Sequence, residues 1–195
     1  MIKIENRFFF ILSFLMASIV ALSNYLVQFP VKYIHLQDIF TYGAFTYPMA
    51  FLITDLANRC YGKIVARKIV YVGFFFGVFL TLYFSTDFSN LISKRIAIGS
   101  GTAFLIAQLL DVQVFDKLRK KIWFIAPLVS SLIGSCIDTF LFFSIAFYGT
   151  GINWITLSFG DLFVKVLVAL IMLIPFKILL SSIKEISVVK KKISA

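Results

Sequence analysis

The chain has 195 residues, of which 61% are hydrophobic, 17% aromatic and only 14% charged, with a formal charge of +10. So few charged groups cannot cover a water-soluble domain of this size, and a mean hydropathy of +0.97 points instead to a protein that crosses a membrane several times. The basic residues lie in the gaps between apolar runs, where they read as topology signals rather than a nucleic-acid surface, and two cysteines and one histidine leave little from which to build a metal site.

Crossing about 30 Å of hydrocarbon takes about 20 apolar residues. Runs of that kind fall at about 8–29, 39–57, 69–84, 96–115, 123–148 and 159–180, the third being short. No linker between them is long enough to separate domains, so residues 1–195 read as a single transmembrane domain, an all-α bundle of six helices. The first run follows Lys3 and Arg7, and with Ala21-Leu22-Ser23 it has the outline of a signal peptide. Its apolar character continues through Tyr25, Leu26, Val27 and Phe29, which makes it a full span. Fifteen Lys and Arg fall on the side of the termini against three (Lys32, Lys94 and Arg95) on the other, with Lys165 left inside the sixth run. The positive-inside rule therefore predicts both termini in the cytoplasm.

The second run ends in costly groups. Asp55 and Asn58 stand three residues apart, followed by Arg59, Lys63, Arg67 and Lys68. Small residues at steps of four lead into a polar group in three runs: Thr46, Ala50, Thr54 and Asn58; Gly99, Ala103, Ala107 and Asp111; Ala126, Ser130, Gly134 and Asp138. Small residues let helix backbones approach closely in a membrane, so these stripes should face protein and carry Asn58, Asp111 and Asp138 inward. An aspartate at membrane depth costs roughly 2.5–3.5 kcal/mol on insertion scales. Asp55, Asp111 and Asp138, with Asn58 and Gln108, are thus candidates for a binding site, the competing reading being interhelical hydrogen bonding or contact with water at a helix end. Tyr47, one turn before Phe51, is the aromatic best placed to join them. Phe51–Asn58 and Phe104–Asp111 also echo one another, both ending helices of the same direction ahead of a basic loop, as internal repeats of carriers do. Asp161 and Lys165, four apart, should pair on one face, and are expected as a local ion pair near the outer surface. His35 falls in an outer loop with no catalytic companion.

Thr46-Tyr47-Pro48, Phe51-Leu52-Ile53-Thr54-Asp55, Asn58, Tyr61-Gly62-Lys63 and Ala66-Arg67-Lys68 form one connected pattern. With Gln108-Leu109-Leu110-Asp111, Phe115, Ser130, Asp138-Thr139 and Phe143, it resembles the bacterial queuosine precursor transporters, the YhhQ family. The resemblance covers roughly 40–149; the last run matches only in character, and Arg59-Cys60 stands where a glutamate and an aliphatic or small residue are expected. It implies a multi-pass carrier of the bacterial inner membrane, importing 7-cyano-7-deazaguanine or related 7-deazaguanine bases for tRNA queuosine, with no cofactor. The residues suit such a ligand. Adjacent N–H donors of a guanine-like ring can bind one carboxylate, an Asn or Gln amide can match its carbonyl and ring nitrogen, and aromatic rings can stack on its faces. Tyr47, Asp55, Asn58, Gln108, Asp111 and Asp138 are the expected substrate-binding residues.

A second reading is the substrate-binding subunit of an energy-coupling-factor transporter, which would need an ATPase from other chains. Gly99-Ser100-Gly101-Thr102 lacks the lysine of a phosphate-binding loop. An intramembrane enzyme finds no support, since no Gly-x-Gly-Asp motif occurs and the one histidine is in a loop. The lipid bilayer and a small-molecule substrate are the expected partners, with a second copy of the chain or a coupling subunit left open.

Overall fold

The computed structural model describes residues 2–26, 29, 41–84 and 91–193. His35, Lys32 and the predicted start of the second run at Ile39 lie outside the described residues. The fold is helical throughout: α1 (Ile2–Leu26), α2 (Gly43–Tyr61), α3 (Lys63–Phe84), α4 (Leu91–Leu118), α5 (Ile125–Phe147) and α6 (Trp154–Ile193).

Five of these, all but α2, are long and apolar enough to cross a membrane. Thr54, Asp55, Asn58 and Arg59 dilute the hydropathy of the 19-residue α2, although its length of about 28 Å approaches the hydrocarbon thickness. The helices also outrun the apolar stretches that predicted them. α2 continues through Asn58 and Arg59 to Tyr61 because those side chains bond to neighbouring backbone rather than breaking the helix. Gly62 alone separates it from α3, so Lys63, Arg67 and Lys68 are not a loop but the first turns of a helix. α4 extends the predicted 96–115 at both ends. α5 falls slightly inside 123–148, and α6 far exceeds 159–180, running through Pro175 to Ile193.

The least apolar helix occupies the centre. α2 packs against each of the other five, which buries its polar side chains in protein instead of lipid. α4 and α5 form the most extensive pair, and the small-residue stripes are the reason: Gly99, Ala103, Ala107 and Asp111 are all buried, as are Ala126, Ser130, Gly134 and Asp138. On the outside, Phe10, Phe14, Phe75, Phe79 and Ile174 are exposed, an apolar surface suited to lipid.

α1 meets α3 with almost no space between them. A Cβ on Gly73 would stand 2.3 Å from Met16, and one on Gly77 would stand 2.6 Å from Cβ of the stiff, β-branched Val20. Gly101, by contrast, has only ordinary contacts, at 3.7 Å from the Phe74 ring. Gly77→Ala should therefore push α1 off α3 at an overpacking cost of about 1–3 kcal/mol. It should lower the melting temperature in detergent, whereas Gly101→Ala should not. Equal melting of the two variants would refute this close crossing.

Candidate functional site

Two buried polar centres lie within the bundle, and the sequence-predicted residues divide between them. The first is built on α5 and α6. Lys165 Nζ lies 2.8 Å from Asp138 Oδ2 and 2.6 Å from Asp161 Oδ2. The ammonium also donates to Thr139 Oγ1 at 3.1 Å, and Thr139 in turn donates to Asp161 at 2.8 Å. The pairing of Asp161 with Lys165 is as expected, but its place is not: Lys165 is 2% exposed and Asp161 4%, so this is no surface pair. Helical spacing revealed the i, i+4 partner, whereas Asp138, on another helix, could be joined to it only by the fold.

Tyr47 brings α2 to this centre. Its ring lies 5.2 Å from Lys165 Nζ, within cation–π range, and its hydroxyl donates to Asn24 Oδ1 at 2.7 Å. Asn24 Nδ2 then donates to Thr81 Oγ1 at 3.0 Å. A polar thread thus runs from α6 through α2 to α1 and α3. Tyr47 also sits 6.1 Å from Phe104, which stacks with Phe74 at 6.2 Å.

The second centre joins α2, α4 and α5 nearer the end that carries Arg59 and Arg119. Asp55 is met by the hydroxyls of Ser130 and Ser131, each at a loose 3.3 Å. Asp111 stands within reach of the Asp55 carboxyl and the Ser130 hydroxyl, although neither of its oxygens accepts a well-formed hydrogen bond from a described donor. One end of the Gln108 amide is engaged by Thr54 at 2.5 Å and the other has no partner among the described residues. Asn58 Nδ2 donates to the Val112 carbonyl at 2.9 Å, leaving Asn58 Oδ1 without a partner among the described residues. The echoing stretches of α2 and α4 therefore lie side by side here, their polar residues facing one another.

Gly134 and Phe51 separate the two centres, with a Cβ on the glycine falling 2.6 Å from the ring. Asp138 and Ser130 are roughly 12 Å apart along α5 by helical rise. The cavity that reaches Asp55, lined also by Pro48, Ser131 and Phe176, is only about 10 Å³. A larger cavity, about 480 Å³ between α1, α2 and α6, is lined by residues such as Leu12, Met49 and Leu56 with no polar surface, and cannot satisfy a polar ring.

Both ends of the bundle are pinned by arginine. Arg59 donates to the Arg119 carbonyl and, at 3.3 Å, to that of Trp123, while Arg119 returns a bond to the Arg59 carbonyl at 2.9 Å. The Arg59 guanidinium also lies 5.2 Å over Phe115. This arginine, which departs from the resembled pattern, thus ties the end of α2 to the α4–α5 turn. At the opposite end Arg95 bonds the carbonyls of Ile145 and Tyr148 at 3.0 and 2.7 Å.

Residues 41–180 match the family described as "Putative vitamin uptake transporter", a match that takes in most of α6 as well as the stretch that carried the resemblance. A protein of Haemophilus influenzae named "Probable queuosine precursor transporter" is 37% identical, over 84% of this chain and 82% of its own. The "Queuosine precursor transporter" of Escherichia coli is 32% identical over 91% of this chain and 88% of its own. A "Probable queuosine precursor transporter" of Bacillus subtilis is 30% identical over 68% of each. No solved structure matches the chain.

Lys165 offers the sharpest test of the α5–α6 centre. Lys165→Met leaves two carboxylates buried without their cation, a loss of about 3–5 kcal/mol for a broken buried pair. Asp161→Asn keeps the bond between Lys165 and Asp138 and should cost less. Folded yield and melting temperature in detergent should fall much further for the first variant than for the second; similar losses would contradict the shared-cation arrangement.

Proposed function

Because the chain belongs to the vitamin uptake transporter family, with relatives named as queuosine precursor transporters, we propose that it imports a 7-deazaguanine precursor of queuosine across the bacterial inner membrane. It is a carrier rather than an enzyme, with α2 as the sixth span beside the five more apolar helices and both termini in the cytoplasm. The basic excess on the side of the termini supports that orientation.

The observation that carries the choice of ligand is the set of unmet hydrogen-bonding groups between α2 and α4. A buried polar group without a partner costs about 1–3 kcal/mol, and here Asn58 Oδ1, one end of the Gln108 amide and both oxygens of Asp111 are in that condition together. A guanine-like ring supplies what they lack: neighbouring N–H donors for carboxylate and carbonyl oxygens, and acceptors for an amide. Asp55 completes this lining. Tyr47 and Asp138 line the same path at the Lys165 centre, one layer beyond Phe51 and Gly134. A fused ring is far larger than the space beside Asp55, so binding requires the helices to part, and alternating release of the Arg59–Arg119 and Arg95 ties is the motion that would open each side.

The test uses a bacterium that neither makes 7-deazaguanines nor has its own uptake protein, expressing this chain and fed 7-cyano-7-deazaguanine at low concentration. Queuosine should appear in its tRNA. Gln108→Ala and Asn58→Ala, at normal membrane abundance, should lower its formation about tenfold or more, as expected when a site loses about 1.4 kcal/mol or more of binding. Undiminished queuosine in both variants would remove these amides from the site.

A further inference from the structure

We propose that the Asp55–Asp111 pair is a proton-binding site, and that the bundle closes over it only when the pair holds a proton. The inference about binding rests on the geometry of the pair, and its consequence for transport rests on the carrier reading above.

The two acid centres differ in one respect. Asp138 and Asp161 share the Lys165 ammonium at 2.8 and 2.6 Å, so their charge is compensated inside the protein. Asp55 and Asp111 make no salt bridge among the described residues. They come from different helices, lie within hydrogen-bonding reach of each other, and are 2% and 0% exposed. Two like charges buried this deeply repel far more strongly than they would in solvent.

On α2 the nearest cation, Arg59, is close enough for its charge to act on Asp55 but makes no salt bridge with it among the described residues, its guanidinium instead bonding the carbonyls of Arg119 and Trp123 and lying over Phe115. On α4 the next acid, Asp116, pairs with Lys63 at 3.3 Å and Arg119 at 3.9 Å. α5 contributes the hydroxyls of Ser130 and Ser131, both directed to Asp55. α6 contributes Ala169, Met172, Leu173 and Phe176, while its lysine is held at the other centre. Asp111 is left with a fully buried carboxyl that has only the Ser130 hydroxyl and the Asp55 carboxyl within hydrogen-bonding reach. One proton between the two carboxyls supplies the missing donor and removes one of the two charges. A larger cation is disfavoured by space: about 10 Å³ reaches Asp55, room for about one water molecule.

When the helices part and water enters, the pair can ionise; when they close, it must be protonated again. Before each closure the pair takes a proton from the side that is open and gives it up when the other side opens, with or without substrate, so acid on the side of entry should speed uptake.

The experiment takes the purified full chain in lipid vesicles. Infrared spectra at neutral pH should contain the C=O band of a protonated carboxyl that shifts in deuterium oxide. The band should persist in Asp138→Asn and vanish in the double variant Asp55→Asn, Asp111→Asn. Its absence from the unsubstituted chain, or its survival in a folded double variant, overturns the proton site whether or not the chain transports anything. Labelled 7-cyano-7-deazaguanine then tests the consequence. An acid-outside gradient should raise initial uptake by the unsubstituted chain severalfold. Exchange of labelled for unlabelled substrate without any response to the gradient overturns the coupling and leaves the carrier standing. Absence of exchange overturns the carrier reading, with the infrared result still deciding the proton site.

Discussion

Burying charge where water cannot follow is the constraint on which the bundle depends. The core holds three aspartates from α2, α4 and α5, and one aspartate and one lysine from α6, all at most 4% exposed. Lys165 answers part of that charge by standing between Asp138 and Asp161. Removing solvent from an ion costs several kcal/mol even after relaxation, so such groups persist only where the fold can use them or balance them. Around Lys165 they are balanced. Around Asp55 and Asp111 they are not, and function is the reading that accounts for the difference.

Packing makes that interior possible. α2 is too polar to face lipid on every side, and its placement among all five other helices leaves Asp55, Asn58 and Thr54 facing protein. The small residues of α4 and α5 let their backbones approach, so Asp111, Asp138 and the serines between them are sealed rather than exposed to lipid. Gly134 admits the Phe51 ring between the two polar centres. The result is two polar layers divided by one aromatic layer and pinned at both ends by arginines.

Much of this was legible in the sequence, since membrane helices announce themselves by length and hydropathy and their buried faces by small residues at steps of four. Every stripe position predicted to face protein is buried except Thr46, which is half-buried. Helix ends were less legible: hydropathy marks where lipid stops, whereas Lys63, Arg67 and Lys68 remain helical in the polar region beyond it. The candidate site was legible residue by residue but not in its arrangement. Spacing along one helix cannot tell that Asp138 belongs with Lys165 and Tyr47, while Asp55, Asn58, Gln108 and Asp111 form a separate cluster. Lys165 itself, set aside as half of a surface pair, joins the site only because α5 and α6 cross at that level. Thr54 and Ser130 read in the sequence as members of the small-residue stripes and Ser131 carries no signal there, and their hydroxyls gain a role only beside Gln108 and Asp55.

Transport by the chain on its own is the central claim, and exchange in vesicles measures it most directly. Purified protein reconstituted without any other polypeptide or ATP, and loaded with unlabelled 7-cyano-7-deazaguanine, should draw in the labelled compound from outside. The Lys165→Met variant, if it can be recovered folded, serves as a comparison with the α5–α6 centre broken. Labelled substrate accumulating inside vesicles of the unsubstituted chain is the predicted result. No exchange unless an ATPase and a coupling subunit are added would contradict it, and would make this chain the binding subunit of a larger machine.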